Sequence, residues 1–211
     1  MNEVKVEFSC GELSLEGILA LPQGAGCFPA VIVCHPHPLY GGSMDNNVVN
    51  SVCGTLTEAL IVSFKFNFRG VGGSEGKFGQ GVDEQEDADA AISFITTVKE
   101  VDPTRIGLIG YSAGAAFALP VCVNNDKIKA LAAISPPLSI FDFEFLKGCA
   151  KPKLLISGSK DDFTPVDQFL ELCQGLVNPK EYDIIGGADH FWWGYESALA
   201  ARVTAFFTQV L

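Results

Sequence analysis

The chain is short of basic residues: 14 Lys and Arg stand against 25 Asp and Glu, a formal net charge of −11. Nucleic acid and anionic membranes are recognised through basic patches, so neither is an expected partner. The acidity is read as serving solubility. No apolar run reaches the roughly 18–20 residues that a membrane span requires. Residues 1–7 alternate charged and apolar side chains, with no basic n-region and no apolar h-region, and are not expected to act as a secretion signal. The seven cysteines are odd in number and scattered, and no C-x-x-C pair is present for zinc or redox chemistry. They are expected to be small buried hydrophobes in a reducing cytoplasm. Cys34 stands just before a candidate site loop; it is read as structural filler, with a partly reactive thiol as the alternative. There is no internal repeat, low-complexity tract or Pro/Ser-rich linker. A length of 211 residues, 48% of them hydrophobic, therefore points to a single domain, 1–211, expected as a cytoplasmic monomer or homodimer.

What is present is an alternation of strand and helix patterns, the signature of α/β architecture with a mostly parallel sheet. Residues 4–9 and 13–21 alternate in and out around Cys10-Gly11-Glu12 and suit a hairpin. Further strands are expected at 30–34, 61–68, 105–110, 129–135, 153–158 and 181–185, about eight in all. Helices are expected at 48–60, 82–101, after Ser112, at 165–176 and at 194–211, with one short helix at 140–146. In the 82–101 helix, Asp83, Glu84, Glu86 and Asp87 occupy the first turns, where the macrodipole favours negative charge. Pro103 is read as closing off that helix region. Too few residues separate the sixth and seventh strands for an inserted cap domain, so the cleft is expected to be open, favouring small or exposed substrates.

The strand at 105–110 runs directly into Gly110-Tyr111-Ser112-Ala113-Gly114, a G-x-S-x-G between strand and helix. That setting lifts a serine hydroxyl out of the sheet edge. A serine needs a base within hydrogen-bond reach, and the base needs an orienting carboxylate. His190 is the one histidine downstream of Ser112, placed after the last strand. Asp161 is the candidate acid on the loop after the strand at 153–158, with Asp162 as runner-up, read otherwise as a helix cap or a surface residue. Asp189 is read as loop structure.

An oxyanion hole needs two N–H donors. Ala113 supplies one at a helix start. The second is expected from Cys34-His35-Pro36-His37-Pro38-Leu39-Tyr40-Gly41-Gly42, where both prolines lack an N–H. His37 is favoured, with Leu39 or Tyr40 behind it. His35 and His37 have no third ligand nearby and are not read as a metal site; His35 is expected to be structural, and no metal or cofactor is expected. The glycine-rich stretch from Asn67 to Gly76 lacks both P-loop and dinucleotide spacings and is read as a tight loop, with Arg69 tying down neighbouring backbone. Aromatics gather near the site: Phe141, Phe143, Phe145, Phe191, Trp192 and Trp193. They are read either as core or as an apolar acyl pocket; Leu39, Tyr40 and Trp192 are the candidate substrate-binding residues.

The stretches His35-Pro36-His37-Pro38-Leu39-Tyr40-Gly41-Gly42-Ser43-Met44-Asp45-Asn46, Asn67-Phe68-Arg69-Gly70-Val71-Gly72-Gly73-Ser74-Glu75-Gly76 and Gly110-Tyr111-Ser112-Ala113-Gly114 resemble the small lidless bacterial α/β-hydrolases close to the dienelactone-hydrolase group. The resemblance covers nearly the whole chain. It implies the α/β-hydrolase fold, an eight-stranded sheet whose second strand is antiparallel, helices on both faces, no cap domain, and the triad Ser112, Asp161 and His190. It also implies carboxylesterase-type activity on a small-molecule ester or thioester. Dienelactone hydrolases themselves carry cysteine where this chain has Ser112. A peptidase or amidase, a dienelactone-type hydrolase and a non-catalytic binding module are the alternative readings.

Overall fold

Gly11 sits at φ +58°, the left-handed conformation that a tight turn requires. It closes a hairpin between β1 (Asn2–Cys10) and β2 (Leu13–Leu21). The computed structural model describes residues 2–211. Six more strands follow: β3 (Phe28–Cys34), β4 (Val62–Phe66), β5 (Val101–Tyr111), β6 (Ile128–Ile134), β7 (Lys153–Gly158) and β8 (Lys180–Ile185). The helices are α1 (Asn47–Glu58), α2 (Glu84–Ile95), α3 (Ala113–Val123), α4 (Val166–Gly175) and α5 (Glu196–Val210). Among the described residues, the eight strands form one sheet in the order β1-β2-β4-β3-β5-β6-β7-β8. β2 runs antiparallel to both of its neighbours, and every pairing from β4 to β8 is parallel. This is the α/β-hydrolase fold.

The central strands read as continuous apolar runs because both of their faces are covered. On one face, α1 and α5 pack Val48, Val52, Leu56, Leu199, Val203 and Phe206 over the sheet. On the other, α2, α3 and α4 contribute Ile92, Ile95, Phe117, Leu119, Phe169 and Leu172. With two covered faces, the loops at the carboxyl ends of β3 to β8 are left as the place for a site. Segment 135–152, between β6 and β7, holds a single one-turn 3-10 helix, Glu144–Leu146, and no separate cap domain. No helix among the described residues is long and apolar enough to cross a membrane.

The structure corrects several expectations. The helix expected over 82–101 ends at Ile95, and Pro103 lies inside β5. Val101 pairs with Phe28 of β3 before a register shift brings Ala30 opposite Ile106, so the pairing with β3 takes over residues that local pattern assigned to the helix. The helix expected at 140–146 shrinks to the turn Glu144–Leu146; Asp142 Oδ1 accepts the Glu144 N–H at 2.7 Å, a local alternative to helical bonding. Cys27 is exposed, whereas the other six cysteines are buried. Burial pushes the Cys34 thiol well above its ordinary range, so it is not a reactive thiolate.

The acidic head of α2 serves contacts more specific than the helix dipole. Glu84 is fully buried and accepts the N–H groups of Gly79 and Gly81 at 2.7 and 2.6 Å. Arg69 does not tie down backbone. Its guanidinium is ion-paired with the carboxylates of Asp87 at 2.8 Å, Glu86 at 3.2 Å and Asp83 at 3.5 Å. In the same loop, Glu16 Oε1 accepts both the Gly73 N–H and the Asn67 side-chain N–H, each at 2.6 Å. A carboxylate thus occupies the place that a phosphate reading would have required to be free.

Candidate active site

Ser112 is the residue between β5 and α3, and its backbone stands at φ 54°, ψ −125°. For a non-glycine residue that is a strained conformation costing about 1–3 kcal/mol, held in place by its surroundings. The Ser112 N–H donates to the Ile134 carbonyl at 2.8 Å, which ties the turn to β6. The turn is possible only because Gly110 and Gly114 lack side chains. A Cβ on Gly110 would run into the Ala115 backbone, and one on Gly114 would run into the carbonyls of Cys34 and His35. The loops after β3 and β5 are therefore packed backbone to backbone.

Ser112 Oγ lies 2.8 Å from His190 Nε2. His190 Nδ1 lies 2.9 Å from both Asp161 Oδ1 and Oδ2. A carboxylate only accepts, so Nδ1 carries the proton and Nε2 presents its lone pair to the serine hydroxyl. Residues 29 and 78 positions from His190 in sequence meet there because β5, β7 and β8 all end at one rim. All three residues are buried, at 6%, 8% and 4% exposure for Ser112, His190 and Asp161.

Asp161 is held by more than the histidine. Its Oδ1 accepts the N–H groups of Phe163 and Thr164 at 3.0 Å each, and Ser157 Oγ approaches Oδ2 at 3.4 Å. Burial works to raise this carboxyl. The hydrogen bond and charge of His190, with the Ser135 hydroxyl and the Phe163 N–H, outweigh burial and keep it below the ordinary carboxylate range. Asp162, the runner-up, is exposed. Asp189 Oδ1 caps the N–H groups of Phe191 and Trp192 at 2.9 and 3.0 Å, a loop-building role.

The loop after β3 is wound tightly. The Leu39 N–H donates to His37 Nδ1 at 3.2 Å, and the N–H groups of Tyr40 and Gly42 donate to the His37 carbonyl at 3.1 Å. Leu39 and Tyr40 N–H are thereby committed within the loop. Among the described residues, the N–H groups of His37 and Ala113 have no acceptor inside the chain, and both residues line a cavity of about 490 Å³ that contains Ser112 and His190. His35 is structural. Its Nδ1 donates to the Pro36 carbonyl at 2.7 Å, and its Nε2 accepts the Phe68 N–H at 3.1 Å. Burial lowers its pKa to about 4 and keeps it neutral.

The candidate substrate-binding residues divide. Tyr40 lines the cavity, while Leu39 is 71% exposed and lies outside its lining. Trp192 is fully buried, packed under α5, and its indole N–H donates to Ser135 Oγ at 3.0 Å. A backbone φ of +63° at Trp192 turns its side chain inward. Of the remaining aromatics, Phe141 and Phe191 line the cavity, Phe143 is core, and Trp193 is 70% exposed. Sequence reasoning missed Tyr111, whose hydroxyl donates to the His190 carbonyl at 2.7 Å. It also missed Phe163, whose ring stands 4.7 Å from the His190 ring. Tyr111 was available as the variable residue inside G-x-S-x-G. Phe163 carries no local signal.

The family model described as X-Pro dipeptidyl-peptidase (S15 family) matches residues 61–169. An uncharacterised protein of Rickettsia prowazekii is 37% identical over 196 residues, covering 89% of this chain and 82% of that protein. An α/β serine hydrolase homologue from Coxiella burnetii superposes with a TM-score of 0.88 at 31% identity, covering 97% of each chain. A lidless α/β serine hydrolase from Xanthomonas campestris superposes with a TM-score of 0.88 at 26% identity, covering 100% of this chain and 96% of that one.

Proposed function

We propose that this chain, which belongs to the α/β serine hydrolases and to the X-Pro dipeptidyl-peptidase (S15) family among them, is a carboxylesterase-type enzyme for small carboxylic or thio esters. One observation carries the reading: Ser112 Oγ, the His190 ring and the Asp161 carboxylate stand in series at 2.8 and 2.9 Å. His190 Nε2 takes the serine proton as Oγ bonds to the substrate carbonyl carbon. The carbonyl oxygen becomes an oxyanion facing the N–H groups of Ala113 and His37, at the start of α3, where the helix dipole adds to the stabilisation. Collapse of this intermediate breaks the bond to the leaving alcohol or thiol, which departs with the proton from His190. A water then attacks the acyl-enzyme by the same route and releases the acid. Asp161 holds the His190 tautomer and stabilises the imidazolium formed in both halves.

The experiment is Ser112→Ala assayed on p-nitrophenyl acetate. The variant should fold normally and lose turnover by about three orders of magnitude or more. Retained turnover rejects the mechanism. The S15 match makes a peptidase or amidase on the same three residues the second reading, and X-Pro p-nitroanilides assayed beside esters separate the two.

A further inference from the structure

We infer that the cleft is built for uncharged esters with an apolar or aromatic acyl group and turns away substrates whose acyl group carries an ammonium or a carboxylate. This rests on the serine-hydrolase reading above and narrows it.

The His190 ring is surrounded by the rings of Phe163 at 4.7 Å, Phe191 at 5.7 Å and Tyr111 at 6.0 Å. Pro137, Ile140 and Phe141 continue the apolar lining across the cavity. Among the described residues, no Lys, Arg, Asp or Glu contributes to it.

Two charged groups near this rim, Asp161 and Arg69, already have partners. Asp161 is 4% exposed, and its oxygens face His190 and the N–H groups of Phe163 and Thr164. It has no free lone pair aimed into the cavity for an ammonium. Arg69, the cation of the loop that leaves β4 at the same edge of the sheet, is clamped by Asp87, Glu86 and Asp83 and cannot reach a substrate carboxylate. A net charge of −11 further opposes the approach of anions.

A charge pressed against such a wall loses hydration and gains no counter-ion. The free α-amino group that an X-Pro dipeptidyl peptidase has to hold finds no carboxylate here. A lactone bearing a carboxylate finds no guanidinium.

The test uses the purified full chain and three esters of like length, each corrected for its uncatalysed rate: p-nitrophenyl 5,5-dimethylhexanoate, its charged isostere p-nitrophenyl 4-(trimethylammonio)butyrate, and the mono-p-nitrophenyl ester of glutaric acid. The kcat/KM for the neutral ester should exceed that for each charged one by about tenfold or more, the scale of an uncompensated polar group at a partly open site. Phe191→Lys, at a position 55% exposed and on the cavity wall, should raise kcat/KM for the glutarate monoester relative to the neutral ester. A charged ester turned over as well as the neutral one, in a protein that reacts with a fluorophosphonate at Ser112, overturns the charge selectivity and leaves the hydrolase intact. Failure to hydrolyse any of the three esters, together with failure to label, overturns both.

Discussion

Tyr111 Oη donates to the main-chain carbonyl of His190 at 2.7 Å, from a ring that is 2% exposed. The residue beside the serine thus holds the backbone of the residue that carries the base, and β5 is pinned to the loop after β8. Tyr111→Phe removes the donor and leaves a buried carbonyl without a partner, at a cost of about 1–3 kcal/mol. Thermal unfolding should show a lower Tm, and esterase assays a fall in kcat larger than any change in KM, because the Ser112–His190 distance is loosened while the apolar walls stay. An unchanged Tm and kcat would remove Tyr111 from the account.

Trp192 tests the line between core and cleft. Its indole N–H reaches Ser135 Oγ at 3.0 Å, and its ring is fully buried. Trp192→Phe should destabilise the fold by about 2–4 kcal/mol, through a cavity and the lost hydrogen bond to Ser135 Oγ, read as a lower urea midpoint. KM for p-nitrophenyl butyrate should stay within about twofold under native conditions. A raised KM with unchanged stability would return Trp192 to the substrate site.

Much of this was legible in the sequence, and the parts that were not share a cause. The parallel strands announce themselves because sheets covered on both faces need unbroken apolar runs, as in Ile32, Val33 and Cys34 or Leu154, Leu155 and Ile156. Ser112, Asp161 and His190 could be picked because a strand, then a turn, then a functional side chain is a local pattern. Trp192 could not be assigned to the core, because that depends on a left-handed backbone at a residue type that rarely adopts it. The start of β5 at Val101 depends on Phe28, 73 positions away, and no local periodicity records such a pairing. The commitment of the Leu39 N–H to the His37 ring is likewise a matter of loop geometry.

Asp161 makes a prediction about pH. Its carboxyl is held below the ordinary range in the folded protein, chiefly by the hydrogen bond and charge of His190 working against burial. A depressed pKa contributes stability that is fully present above the unfolded-state value, about 3.9, and that is lost as pH falls through the lower folded value. Asp161→Asn abolishes this contribution. The Tm difference between the parent and the variant should therefore be fully present above about pH 4 and shrink as the pH falls below it. A difference that grows on acidification would contradict the assignment. The same variant should lose about four orders of magnitude in kcat, as expected when the base is held in the wrong tautomer.

Mass spectrometry of the protein after treatment with a fluorophosphonate tests the central claim most directly. A hydroxyl 2.8 Å from a lone-pair-bearing imidazole nitrogen is the nucleophile such a reagent captures, so one adduct is expected, mapped to Ser112. It should be absent in Ser112→Ala and formed more slowly by about two orders of magnitude or more in His190→Ala. An adduct on another residue, or equal labelling in parent and His190→Ala, would contradict the account.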